Sequence, residues 1–109
     1  MTLYAVWATD APGTGEARLR VRDAHRARLR NPAPHPVTVL QGGPTLEGEG
    51  DAMNGSLLIV QAESLEAVRA FVAADPYLEA GVYERVEIRA WRCGLGSMAG
   101  IDRGGAVGS

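Results

Sequence analysis

Two segments of helical period, residues 16–30 and 64–75, are each flanked by extended apolar segments, and that alternation leaves few architectures open to a chain of 109 residues. Residues 3–8 alternate large and small apolar groups without Gly or Pro, which suits a strand buried on at least one face. After the turn-forming Ala11-Pro12-Gly13, residues 16–30 are rich in Ala, Leu and Arg and set Ala17, Val21 and Ala24 on one helical face. The run from Asn31 to Pro36 ends that helix, because each proline removes a donor and biases the residue before it towards extended geometry. A short extended segment follows at 37–41. Residues 42–55 then carry Gly42, Gly43, Pro44, Gly48, Gly50 and Gly55 among acidic residues, a composition that predicts an open loop joining two strands. Residues 56–62 (SLLIVQA) predict a central strand, and Ser64 an N-cap for a helix reaching Asp75, where Pro76 stops it. Val86, Ile88 and Ala90 alternate with Arg85, Glu87 and Arg89, the period of a strand with one buried face.

The order β-α-β-β-α-β predicts an α+β domain of ferredoxin-like form, a four-stranded antiparallel sheet with two helices on one face. The first and third strands are apolar on both faces, so a lone subunit would expose a large apolar patch; a symmetric homodimer joining two sheets would hide it. The folded unit is expected to span residues 1–93. Residues 94–109 are dense in glycine and lack a periodic apolar face, which predicts a mobile tail, with an arm laid over the partner subunit as the alternative.

Composition narrows the partners. The formal net charge is -2 and the 11 basic residues are interspersed with acidic ones, so no electrostatic footprint for nucleic acid is present. No stretch approaches the length needed to cross a bilayer, and the N-terminus lacks the basic flank of a leader. Cys93 is the single cysteine, which with two histidines gives no recognisable set of zinc ligands. A reducing cytoplasm, no membrane and no structural metal are the expectations.

Few side chains can carry chemistry. Arg18, Arg22 and His25 fall at i, i+4 and i+7, one stripe beside the apolar face of the first helix. The stripe either reaches a cleft or is a solvated arginine-rich face with an incidental histidine. Val68, Val72 and Asp75 share the same spacing, which directs the carboxylate along the buried side of the second helix, where the macrodipole opposes it and a partner is needed. Both helices pack on one sheet face, so His25 and Asp75 can meet. In such a dyad the carboxylate fixes the imidazole tautomer and leaves the other ring nitrogen to move a proton on a bound substrate; a purely structural hydrogen bond is the alternative. Arg22, ahead of Arg18, suits a substrate carboxylate or phenolate, unless both pair with Asp23 or Glu16 at the surface. Ser56 is a candidate donor to a ligand oxygen and Tyr77 a candidate aromatic wall, against backbone and core roles. His35 between prolines is expected to be exposed, and Cys93 has no support as a nucleophile.

The pattern Arg18-x-x-x-Arg22-x-x-His25, then Gly43-Pro44, Gly55-Ser56, Glu63-Ser64-Leu65-Glu66-Ala67, and above all Asp75-Pro76-Tyr77 with Ala80-Gly81-Val82-Tyr83, resembles the YCII-related (YciI-like) family over residues 3–92. The resemblance implies a dimeric α+β barrel of ferredoxin-like subunits with an active site around His25 and Asp75. It also implies proton transfer on small ring compounds without a cofactor, since the family is related to muconolactone isomerase-like folds and one branch removes chloride from a chlorinated hydroxyhydroquinone. The proline-rich segment 31–36 and the glycine-rich extension after Trp91 depart from the family pattern. Two functions follow: a cofactor-independent lyase or isomerase, or a non-catalytic small-ligand binder or accessory dimer in which the pair is structural.

Overall fold

A computed structural model describes residues 1–100. The elements run β1 (Thr2–Asp10), α1 (Gly15–Arg30), β2 (Val37–Leu46), β3 (Met53–Ala62), α2 (Leu65–Ala73), α3 (Pro76–Glu79) and β4 (Tyr83–Trp91). The strands form one antiparallel sheet in the order β2-β3-β1-β4. This is the βαββαβ unit the sequence predicts, with one short helix added before the last strand.

Alternation along β1 and β3 turns Tyr4, Val6, Leu58, Val60 and Ala62 towards α2, where they meet Val68, Phe71 and Val72. Burying a side chain such as Phe71, which is fully enclosed, contributes about 1.5–3 kcal/mol relative to exposure. Packing therefore holds α2, and Ser64 caps it by accepting from the Ala67 N–H at 3.2 Å.

The first helix is held differently. Its two buried residues are Arg18 and His25, while Ala17 and Val21 pack half-buried against the cluster around Tyr77 and Ala24 is exposed, so the polar stripe turns inward beside the apolar face. Small side chains bury little area, and the cost of desolvating Arg18 and His25 is offset by hydrogen bonds to each. The reading of a solvated stripe is thereby corrected. His35 is also half-buried rather than exposed, with its ring edge-on to Phe71 at 5.8 Å.

The open loop expected at 42–55 is mostly strand. β2 runs on to Leu46 and β3 begins at Met53, leaving only residues 47–52 between them. Gly42 and Gly55 serve close approach: a Cβ on Gly42 would meet Leu58 Cδ2 at 2.7 Å, and one on Gly55 would run into the Ala8 carbonyl of the neighbouring strand.

The helix expected to reach Asp75 ends at Ala73. Pro76 forces Asp75 into an extended conformation (φ -68, ψ 131) and then opens α3 as its N1 residue. Asp75 is accordingly the N-cap of a new helix, at its positive end, and not a carboxylate in the last turn of the old one.

On the face away from the helices stand Trp7, Leu57 and Ile59, with Trp91, Glu87 and Arg89 along β4. Trp7 is 56% exposed there. Residues 95–96 bend and 97–100 form a turn, and the Cys93 thiol donates to the Leu95 carbonyl at 3.2 Å. The rest of the glycine-rich tail lies outside the described residues. Among the described residues no helix is long and apolar enough to cross a membrane.

Candidate active site

Asp75 reaches its position because the chain must turn at Pro76, and its Oδ1 accepts from the Tyr77 N–H at 2.8 Å. The same oxygen lies 2.8 Å from His25 Nδ1. A carboxylate offers no proton, so Nδ1 carries the hydrogen, and in the neutral ring Nε2 presents a lone pair. The His25 ring stacks on Tyr77, centroids 3.9 Å apart and planes inclined by 20°. One end of the imidazole is thus fixed by a buried acceptor and its face by an aromatic ring. Asp75 itself is 2% exposed and sits behind the histidine.

A second polar group is built around Arg18. Its Nη2 donates to the Gly55 carbonyl at 2.6 Å and to Ser56 Oγ at 2.9 Å, and Nη1 approaches Asp10 at 3.4 Å. The guanidinium lies over the Tyr77 ring, 4.5 Å from its centroid. Tyr83 donates from its hydroxyl to Ser56 Oγ at 2.8 Å and meets Tyr77 edge-on. Burial pushes the Tyr83 hydroxyl well above the ordinary tyrosine range, with the Ser56 bond opposing. Burial likewise raises Tyr77 and the Asp10 carboxyl, Arg18 opposing in each case.

One measurable consequence is alkaline behaviour. A phenol raised in the folded state contributes stability that is complete below its unfolded value of about 10 and is lost as pH climbs towards the folded value. Tyr83→Phe removes that loss, so its melting temperature should fall less steeply than that of the wild type between about pH 9 and about pH 11. Parallel curves would show that the phenol is not shielded.

His25, Ser56, Arg18 and Tyr77 line a cavity of about 150 Å³. Arg22 and Arg26 stand along one side with Leu29, and Gly42, Gly43, Pro44 and Met53 close the other. The volume suits a single ring, and the walls offer a lone pair, a hydroxyl and three guanidinium side chains. Of the six residues singled out from sequence, five line this cavity and the sixth, Asp75, supports His25 from behind. The surface pairings considered for the arginines are not those found: Arg18 turns to Asp10, Gly55 and Ser56. Ser56 lies within β3 and not at its start.

Sequence reasoning missed Arg26, Asp10 and Tyr83. Arg26 continues the i, i+4 stripe of Arg18 and Arg22 and was open to detection on spacing. Asp10 and Tyr83 carry no such signal, because only the register of β1 against β4, which pairs these two residues, brings them together.

A family model for the YCII-related domain matches residues 2–92. An uncharacterized protein of Haemophilus influenzae is 37% identical over 93 residues, covering 82% of this chain and 95% of its own length. Protein YciI of Escherichia coli O6:H1 is 38% identical over 95 residues, covering 83% of this chain and 96% of its own. Among solved structures, the 5-chloro-2-hydroxyhydroquinone dehydrochlorinase TftG of Burkholderia phenoliruptrix, in complex with 2,5-dihydroxybenzoquinone, superposes with a TM-score of 0.73 at 32% identity, over 84% of this chain and 95% of that one. With a domain match over nearly all the described residues and relatives of this identity aligned almost end to end, the chain belongs to the YCII-related family.

Proposed function

We propose that this protein is a cofactor-independent lyase or isomerase that moves a proton on a small cyclic or phenolic substrate. The observation that carries the reading is the His25 imidazole, tied at Nδ1 to a buried carboxylate while the same ring lines a one-ring cavity flanked by arginines. His25 Nε2 takes the proton, and Asp75 orients the ring and balances the imidazolium that forms. Arg22 and Arg18 hold an anionic oxygen, Ser56 donates to a substrate oxygen, and Tyr77 backs the ring. In an elimination of hydrogen chloride the electrons of the broken bond to hydrogen form the new double bond and chloride leaves with its own pair, so the step is redox-neutral. Support comes also from TftG, whose name states dehydrochlorinase activity on a chlorinated hydroxyhydroquinone.

The test is turnover of a panel of chlorinated hydroquinones, phenols and lactones, read as chloride release and as exchange of ring protons into deuterated water. Activity on one class that His25→Ala abolishes is the expected result; activity unchanged in that variant removes the histidine from the chemistry. A second reading, a ligand-binding or accessory dimer, is favoured by one observation: Asp75 also caps α3, so the pair has a structural task in either case.

The same proposal makes the protein a homodimer of the reducing cytoplasm. The Trp7, Leu57 and Trp91 face would lie against its copy in a second subunit. Sedimentation at micromolar concentration should give about twice the chain mass of 11.5 kDa. A monomer mass would refute the dimer.

A further inference from the structure

Like charges four residues apart on a helix repel, so a row of them lowers helix stability at every step. α1 carries such a row in Arg18, Arg22, Arg26 and Arg30. Arg18 faces Asp10 at 3.4 Å, but beyond it the row is uncompensated: among the described residues none of Arg22, Arg26 and Arg30 pairs with a carboxylate. Asp23 is the only acidic residue within four positions of Arg26, and it forms no pair either. The helix therefore tolerates a repulsion that nothing in its own fold relieves.

The row runs along a groove. The ring cavity adjoins a second hollow of about 280 Å³, and Arg26, Leu29 and Gly42 line both. The floor of this groove is apolar, made by the half-buried Leu29 and Val39. Arg26 and Arg30 form one rim and the free edge of β2 the other. That edge is bent at this point: pairing with β3 passes from Val39 opposite Val60 to Gln41 opposite Ile59, which leaves Leu40 as the extra residue of a bulge. An apolar floor with a cationic rim suits a ligand segment that is aliphatic along its length and anionic at its end.

We infer that this groove is a subsite for an anionic arm of the substrate, with an aliphatic chain over Leu29 and Val39 and a carboxylate held between the Arg26 and Arg30 guanidinium groups. Two guanidinium groups on adjacent turns can each donate to one oxygen of the same carboxylate. His25 and Arg30 are about 7.5 Å apart along the axis at about 1.5 Å per residue, so a chain of about three carbons beyond a ring in the cavity reaches the pair. The bound anion relieves the repulsion along the row. The inference rests on the reading of the cavity as the substrate site, and names the substrate class as ring compounds bearing a short carboxylate arm.

The test measures calorimetric binding of 4-(4-hydroxyphenyl)butanoate and 4-butylphenol to the full chain. The two share ring and carbon count, and only the first ends in a carboxylate. The wild type should bind the carboxylate at least about tenfold more tightly, the contrast that charge-assisted hydrogen bonds supply. The preference should shrink as ionic strength rises from about 0.01 M to about 0.15 M, where the screening length falls from about 30 Å to about 8 Å. Arg26→Gln and Arg30→Gln should each cut it by about threefold or more, and their melting temperatures should not fall, because each substitution removes a repelling charge. Arg20→Gln is the control: it removes the same charge from an exposed position two residues from Arg22, on another side of the helix, and should leave the preference intact. An equal loss in the Arg20 variant would show a general field and overturn the subsite. So would lower melting temperatures in the Arg26 and Arg30 variants with the preference unchanged, since the row would then serve the fold. Equal binding of both compounds by the wild type overturns the subsite and leaves the proposed function standing. Failure to bind either compound overturns the subsite and the cavity reading together.

Discussion

Asp75→Asn should lower turnover by about 10²–10⁴-fold, the range supplied by general acid–base groups, while changing stability by no more than about 1 kcal/mol. The contrast follows from geometry. The same oxygen, Oδ1, accepts from both His25 Nδ1 and the Tyr77 N–H, and an asparagine carbonyl in that place can keep both bonds. Cap and tautomer survive; only the negative charge that balances an imidazolium is removed. Asp75→Ala is the companion variant. It leaves two buried donors without an acceptor and should cost about 2–4 kcal/mol, from a lost cap and an unpaired buried imidazole N–H. Turnover of the best substrate beside thermal melts of both variants checks the pair. An asparagine variant as active as the wild type takes the charge out of the mechanism, and one that unfolds as readily as the alanine variant supports the accessory-dimer reading.

The largest effect on folding is expected from Gly55→Ala. The new methyl would run into the Ala8 carbonyl, a backbone atom of the paired strand that no rotamer change can move aside, and would also crowd Thr45 Oγ1. The row Thr45–Gly55–Thr9 lies next to register shifts in both β2–β3 and β1–β4 pairing, so the sheet has little regular geometry to fall back on there. A loss of about 3 kcal/mol is expected, at the upper end for overpacking, which for a domain of this size lowers Tm by about 12–20 °C. Because the Gly55 carbonyl also receives Arg18 Nη2, the cavity should loosen with it. Gly43→Ala is the control: its Cβ meets nothing within 4 Å, and its melt should match the wild type. Equal melts for the two variants would show that the strands can part to admit the methyl.

The fold was legible where period and punctuation agree. Period two in β4, the apolar run of β3 and the Ser64 cap each specify an element locally, and the order of elements then leaves one simple sheet. Legibility failed where glycine and proline have more than one meaning. Gly42 and Gly55 mark close approach inside a sheet and not an open loop, a distinction that depends on neighbours distant in sequence. Pro76 starts a helix as well as ending one, and that second role moves Asp75 from a hostile helix end to a favourable one. The His25–Asp75 pairing was foreseen from a helix face that Asp75 does not occupy: α2 ends at Ala73, and the corner at Pro76 carries the carboxylate to His25. That Arg18 is buried was not, since its acceptors are a carbonyl and a hydroxyl on a distant strand. Tyr83 was invisible for the same reason: nothing near it in sequence refers to Ser56.

The double duty of Asp75 bears on how chains of this family are to be compared. A descendant that abandoned proton transfer would still need an acceptor for the first N–H of α3, so its aspartate would be retained by the turn alone. The histidine's own structural tasks, a bond to that buried carboxylate and a stacking contact on Tyr77, are ones that another donor or aromatic side chain can supply. In sorting active members from silent ones, the residue at position 25 is therefore the informative one, and an intact Asp-Pro-Tyr segment certifies only that the corner is folded.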